Sequence, residues 1–299
     1  MTDQQNDFGQ PVGRPVPGWT ARPTPPASAM TGRFCRVEPL VPADHAADLF
    51  EANRADAGGR NWTYLGVDGF TELAPYRAWL DKMAAGSDPM FHAIVDLATG
   101  RAVGIASYLR IDPANGVIEV GHINYSPLLQ RTPAATEAMF LMMRRAFDEL
   151  GYRRYEWKCD DRNLPSRAAA RRLGFTYEGT FRQALVYKDR NRDTAWFSIL
   201  DGEWPAIKAA FERWLAPDNF DADGRQRQSL ATRRQTLDLA DCINETCPWS
   251  GKPVSADSLT LYKGQVVGFC NTGCRDKFEK AVAHFEAAAT RPAPAPATP

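Results

Sequence analysis

The chain has no charge imbalance: 36 Lys and Arg oppose 36 Asp and Glu over 299 residues. Nothing in its overall electrostatics therefore draws it toward nucleic acid or an anionic membrane. It has no uninterrupted apolar run near the roughly 18 residues that a bilayer span requires. Residues Met1 to Asp7 carry neither the basic stretch nor the apolar segment of a secretory leader. No internal repeat is visible. These absences predict a cytoplasmic protein with no membrane or nucleic-acid partner. Cysteine is nearly missing from the first 240 residues, where only Cys35 and Cys159 occur. Each sits in strand-like surroundings, and the expected role is that of a small buried hydrophobe.

Aliphatics are sparse in residues 1–30, where Pro11, Pro15, Pro17, Pro23, Pro25 and Pro26 accumulate. Such a segment builds no core of its own and is expected to be an extended arm, with Phe8 and Trp19 as the side chains able to dock it. A polar stretch with Arg225, Arg227, Arg233 and Arg234 makes residues 216–240 a linker by composition. Residues 290–299 form a Pro-rich tail without structure of its own. That leaves a body, 31–215, and a short cysteine-bearing segment, 241–289.

In the body, 44% hydrophobic content overall comes with clear periodicity. Alternation predicts strands over 34–40, 91–96, 102–111, 116–125 and 154–159, and a closing hairpin of 175–186 with 194–200. Spacings of three and four predict helices over 43–54, 71–83, 133–150, 164–173 and 203–215. This is a mixed α/β sheet fold. The loop from Leu129 to Thr136 leaves an apolar strand, passes small and hydroxylated residues and opens into a helix. The unpaired amides and positive dipole end there favour an anion such as pyrophosphate. Pro133 suits the first helical turn, where its missing N–H costs nothing.

This order of elements resembles the GNAT acetyltransferases, and motifs support it. Gln130-Arg131-Thr132-Pro133-Ala134-Ala135 stands where that family has its Q/R-x-x-G-x-G/A loop. Asn163 lies twelve residues before Phe175 of a Leu173-Gly174-Phe175 motif, and Ser166 follows three residues after Asn163, as in the ribosomal-protein N-terminal acetyltransferase branch. The resemblance implies acetyl-CoA held between splayed strands 116–125 and 154–159. Its pantetheine would pair with backbone near Tyr125, its pyrophosphate would meet Gln130, Arg131, Thr132, Ala134, Ala135 and Thr136, and Asn163 and Ser166 would approach its arm. It also implies direct attack of a primary amine, on a small molecule or a protein N-terminus, on the thioester. Glu119 is the first candidate for the proton acceptor and His122 the second, since strict alternation puts them on opposite faces unless a bulge intervenes. Both also have plain roles open to them, Glu119 as an ion-pair partner and His122 as a half-buried sheet residue. Pro133 departs from the family's glycine. Ala170 stands where many members have a tyrosine acid, with Tyr187 and Tyr125 as substitutes. The rival reading is a non-catalytic, metal-responsive protein that binds CoA or a partner on the same scaffold. Trp62, Tyr64, Trp79, Arg182 and Tyr187 are expected on the acceptor side, or as core.

Four cysteines crowd the end: Cys242, Cys247, Cys270 and Cys274. In a reducing compartment such a cluster more often holds metal than disulfides. Two close pairs suit tetrahedral Zn²⁺, in a segment too short for a self-sufficient core. Its pattern around Cys247, Phe269, Cys270, Cys274 and Phe278 resembles the YHS and TRASH-type metal-binding modules, a small zinc-ribbon or treble-clef-like unit. Cys242 is the loosest match, with His284 as alternative. A dithiol switch remains open.

Overall fold

The computed structural model describes residues 4–230, 232, 239, 242–262 and 265–289. The expected tail at 290–299, and Arg233 and Arg234 of the expected linker, lie outside them. By contacts the chain divides into two compact units, Met1–Thr232 and Arg233–Pro299.

The first unit opens with a small hairpin, β1 (Gln4–Gln5) and β2 (Pro11–Val12), then runs β3 (Met30–Thr31), β4 (Cys35–Pro39), helices α1 (Pro42–Arg54) and α2 (Leu73–Ala84), and strands β5 (Met90–Asp96), β6 (Arg101–Asp112) and β7 (Val117–Tyr125). Next come α3 (Pro133–Arg144), β8 (Arg154–Asp160), α4 (Leu164–Arg172), the hairpin β9 (Thr176–Tyr187) and β10 (Arg190–Leu200), and α5 (Trp204–Leu215). The eight-stranded sheet runs β3-β4-β5-β6-β7-β8-β10-β9. Its one parallel pair is β7 with β8. The helix expected over 133–150 is α3 followed by one wide turn, Arg145–Glu149.

Two apolar layers flank the sheet. One buries Ile118, Val120, Met139, Met142, Tyr155, Phe197 and Phe211 against α3 and α5. The other buries Leu49, Trp62, Tyr76, Leu80, Phe91 and Ile105 beneath α1 and α2. Glu137 of α3, almost fully buried, accepts the amides of Arg33, Phe34 and Cys35 at 2.7, 2.6 and 2.9 Å. That satisfies the carboxylate and locks α3 to the start of β4. In the N-terminal arm, Trp19 Nε1 donates to Ala114 O at 2.8 Å. Within the stretch read as a linker, Phe220, Leu230 and Thr232 are buried, and Thr232 Oγ1 donates to Arg172 O.

The second unit pairs β11 (Leu259–Tyr262) with β12 (Gln265–Gly268) and continues into α6 (Thr272–Ala289). Its buried core is Cys247, Val267 and Phe269. No helix among the described residues is long and apolar enough to cross a membrane.

Candidate active site and cysteine cluster

β7 and β8 pair in register from Val117↔Arg154 to Val120↔Trp157 and no further. Beyond Val120 the strands part, and the exposed backbone of β7 faces a gap. At the same point β7 bulges. Ser107 pairs with Gly121 but Ile105 with Asn124, so three steps on β7 oppose two on β6, and His122 takes φ +48°. Cross-strand partners share a face. Glu119, opposite Leu109, therefore shares the face of Ser107. His122 joins them: its Nδ1 lies 2.9 Å from Ser107 Oγ, and its ring lies 5.1 Å from that of Phe91. The bulge is the condition under which both candidates can serve one cleft.

Their environments differ. Glu119 is 3% exposed, and its Oε2 receives Arg110 Nη1 at 2.7 Å and Lys158 Nζ at 2.8 Å. Lys158 also meets Glu156 at 2.7 Å, and Arg154 bridges Glu156 and Glu178. Three carboxylates alternate with three cations, a neutral ladder across β6, β7, β8 and β9. His122 is exposed. Desolvation first, then the charges of Arg110 and Arg192, hold its pKa below the ordinary imidazole value. It is a neutral proton acceptor at neutral pH.

At the loop into α3, Thr132 is the N-cap, accepting from Ala135 N at 3.2 Å and donating to Leu129 O at 2.6 Å. Arg131 takes φ +62°. Pro133 brings no donor, and the Ala135 amide is already engaged. What remains for an anion is the amide of Ala134, ahead of the first intrahelical bond, the Arg131 side chain and the dipole. Arg172 of α4 adds charge here by donating to Thr136 Oγ1 at 3.1 Å. The alanines leave room for close approach, and a cleft of ≈ 340 Å³ opens beside them, bordered by Arg33, Leu128, Thr132 and Ala134. These residues fit a pyrophosphate-bearing ligand.

The Tyr125 carbonyl, expected to receive a pantetheine amide, accepts Gln130 Nε2 at 2.8 Å and Asn61 Nδ2 at 3.1 Å. Asn163 caps α4 by accepting Ser166 N at 3.1 Å, and Ser166 Oγ accepts Trp157 Nε1 at 3.0 Å. Ala170 is fully buried. Tyr187 donates to Asp160 at 2.8 Å, and Tyr125 OH donates to Ala135 O. Trp62 and Trp79 belong to an aromatic cluster with Phe70 and Tyr76, which is the core alternative. Asn61, Lys158, Arg172 and Arg192 escaped the sequence reading. No local pattern marks them, because their positions matter only once the strands are paired.

In the second unit, Cys247, Cys270 and Cys274 bring their sulfurs within 4.8 Å of one another. Cys247 starts a tight turn in which Gly251 N donates to its carbonyl at 2.9 Å, and Gly251 has φ +68°, a conformation that favours glycine. Desolvation raises the Cys247 pKa, but the Ser250 hydroxyl and the amides of Cys270, Trp249 and Ser250 outweigh it and lower the thiol to about 6. Cys242, expected as fourth ligand, is not in the group. Its thiol points to Asn244 O at 3.1 Å. His284, the alternative, lies outside the group too and is exposed.

The mixed sheet, with one parallel strand pair that stops pairing beside the loop into α3, is an acyltransferase-type α/β fold. Residues 36–176 match the model of the acetyltransferase (GNAT) domain. The chain is similar to a GCN5-related N-acetyltransferase from Brucella melitensis at 50% identity and TM-score 0.71, covering 72% of this chain and 97% of that one. A GNAT-family structure from Chromobacterium violaceum shows 43% identity and TM-score 0.61 over 66% and 98% of the two chains. The self-immunity acetyltransferase MccE, solved with acetyl-CoA and AMP, shares the fold at 18% identity and TM-score 0.51, over 59% and 98%. No curated protein matches the chain. The chain belongs to the GNAT acetyltransferase family, whose members use acetyl-CoA and act on amines.

Proposed function

We propose that this protein transfers acetyl from acetyl-CoA to a primary amine by direct attack on the thioester, with His122 taking the proton from the amine. The observation that carries the assignment is the bulge, which sets an exposed, neutral imidazole on the face where β7 and β8 part. Glu119 acts as a positioning residue. Its carboxylate holds Arg110 and Lys158, and Arg110 adds to the desolvation that keeps His122 neutral. Acetyl-CoA brings an activated acyl group, and a thiolate is a good enough leaving group to need little help. The side chains bind the two substrates side by side, the pyrophosphate at Arg131, Thr132 and Ala134, the amine near His122. Asn163 and Ser166 support this site by fixing the start of α4 beside it.

The test is a pair of variants assayed for CoA release with an amine panel. His122→Gln is expected to lower kcat by about 10²-fold or more and to abolish the acidic limb of the pH profile. In the wild type that limb rises through a pKa below the ordinary histidine value and then levels. Glu119→Gln is expected to shift the limb and weaken stability. A limb lost in Glu119→Gln and kept in His122→Gln would return the base role to Glu119.

For the second unit, we infer that Cys247, Cys270 and Cys274 hold a Zn²⁺-type ion in a YHS- or TRASH-like module. Three converging sulfurs, one with its thiol lowered to about 6 by aimed donors, support this reading. The metal would serve folding of that unit.

A further inference from the structure

The face that carries Glu119 and His122 also buries polar atoms that bond to nothing. They are Thr194 Oγ1, Trp196 Nε1, Arg192 Nε and both amide atoms of Asn124. Buried polar groups are nearly always paired, so several unpaired ones on one face call for an explanation. Their placement follows from register. Trp196 pairs with Lys158 and Thr194 with Asp160, and Lys158 Nζ lies both 3.7 Å from the Trp196 ring centroid and 2.8 Å from Glu119. Arg192 is two residues before Thr194 on β10, across a register shift against β9, and its contacts place it on the same side. Its guanidinium lies 5.8 Å from the Tyr187 ring centroid, and its charge reaches His122. Asn124, opposite Ile105, shares the face from the β7 side. Thr194 is 4% exposed and Asn124 2%.

Charge accounting narrows the ligand. Arg110, Lys158 and Arg154 are consumed by Glu119, Glu156 and Glu178. Asp160 accepts the Tyr187 hydroxyl and the Arg162 amide at 2.8 Å each, and Asp193 accepts Gln183 N and Asn191 Nδ2; these neutral donors satisfy the oxygens and leave both carboxylates charged, so a ligand with an ammonium as well as a carboxylate finds both signs here. Arg192 makes no ion pair among the described residues. Arg192 is thus a guanidinium without a salt-bridge partner on the strand face that also carries the Thr194 hydroxyl and the Trp196 indole N–H, and donors of this kind suit a carboxylate.

We propose that Arg192, Thr194 and Trp196 form an acceptor subsite for a carboxylate, so that the amine substrate is a small molecule of the amino-acid class. Its carboxylate lies on β10 and its amine is directed toward His122. The proposal rests on the acetyl-transfer reading for the role of the amine, but the carboxylate subsite itself can be measured without acetyl-CoA.

The experiment titrates the full-length protein by calorimetry with a set of α-amino acids, their carboxamides and the matching decarboxylated amines, and separately with acetyl-CoA. At least one amino acid is expected to bind tenfold or more tightly than its carboxamide, the scale of one lost charge-assisted bond. Arg192→Met is expected to erase that preference with acetyl-CoA affinity unchanged, Arg192→Lys to restore part of it, and Thr194→Val to weaken it. Acid and carboxamide binding alike, no acid binding at all, or a preference that survives Arg192→Met would each overturn the proposal. A protein that binds the amino acid but not acetyl-CoA would keep this subsite and remove the acetyl-transfer reading. The reverse result would remove only the subsite.

Discussion

The two units of this chain solve the same problem with different chemistry. The first buries whole layers on both faces of an eight-stranded sheet, with Tyr108, Tyr155, Phe197 and Phe211 among its fully buried side chains. The second has a small core, with Cys247, Leu259, Val267 and Phe269 as its buried apolar residues among those described, and a two-stranded hairpin. A segment of that size seldom folds on apolar burial alone. Its sulfurs stand beside the few aromatic rings it has, Phe269, Phe278 and Tyr262. The first unit can therefore give up polar groups on its cleft face to function, because its core is held elsewhere. The second has no such reserve, and its reactive side chains are also its structure.

The largest effect that would break this contrast comes from the sulfurs. Chelation, or Cys270→Ser with Cys274→Ser, is expected to remove about 10 kcal/mol of metal-linked folding energy from the second unit. Residues 242–289 would become protease-sensitive while the unfolding of the first unit stays in place. Limited proteolysis with calorimetry measures both, and a resistant second unit without metal would end the contrast.

A smaller effect belongs to the first unit. His92 is fully buried and its pKa is lowered to about 4, chiefly by desolvation and then by Arg145. An unfolded histidine titrates near ~6.5, so between that value and about 4 the unfolded chain binds the extra proton. Stability is complete above about pH 6.5 and falls by about 3 kcal/mol as pH drops to about 4. His92→Gln should flatten that part of a denaturation series for the first unit, and an unchanged slope would move the titration to another group. The smallest effect is at Thr132→Ala, expected to cost about 1 kcal/mol as a lost N-cap, read by urea unfolding.

Most of the sheet was legible because burial imposes period two on β5, β6, β7 and β8, and period three to four on α1, α2 and α3. The loop-to-helix junction was legible because Pro133 and two alanines open a helix. The cleft face was less so. Whether Glu119 and His122 share a face depends on one extra residue in β7, which alternation alone does not reveal. Lys158 and Arg192 read as ordinary strand cations until pairing sets them beside Glu119 and His122. Composition also misjudged the weight of Phe220 and Leu230, since a few apolar residues in a polar stretch are enough to pin it. At the end of the chain, counting four cysteines suggested four ligands, but the turn at Cys247 gathers only three thiols.

The carbonyl of Tyr125 has one further consequence. It already receives two side-chain amides, from Asn61 and Gln130, which also bond to each other at 2.8 Å. Any ligand amide that takes this oxygen enters by exchange rather than addition, so the new bond contributes little net enthalpy. What the exchange frees is the Asn61 side chain alone: its backbone N–H stays on Asp56 at 2.8 Å, and Trp62, packed among Phe70, Tyr76 and Trp79, keeps its carbonyl on Lys188.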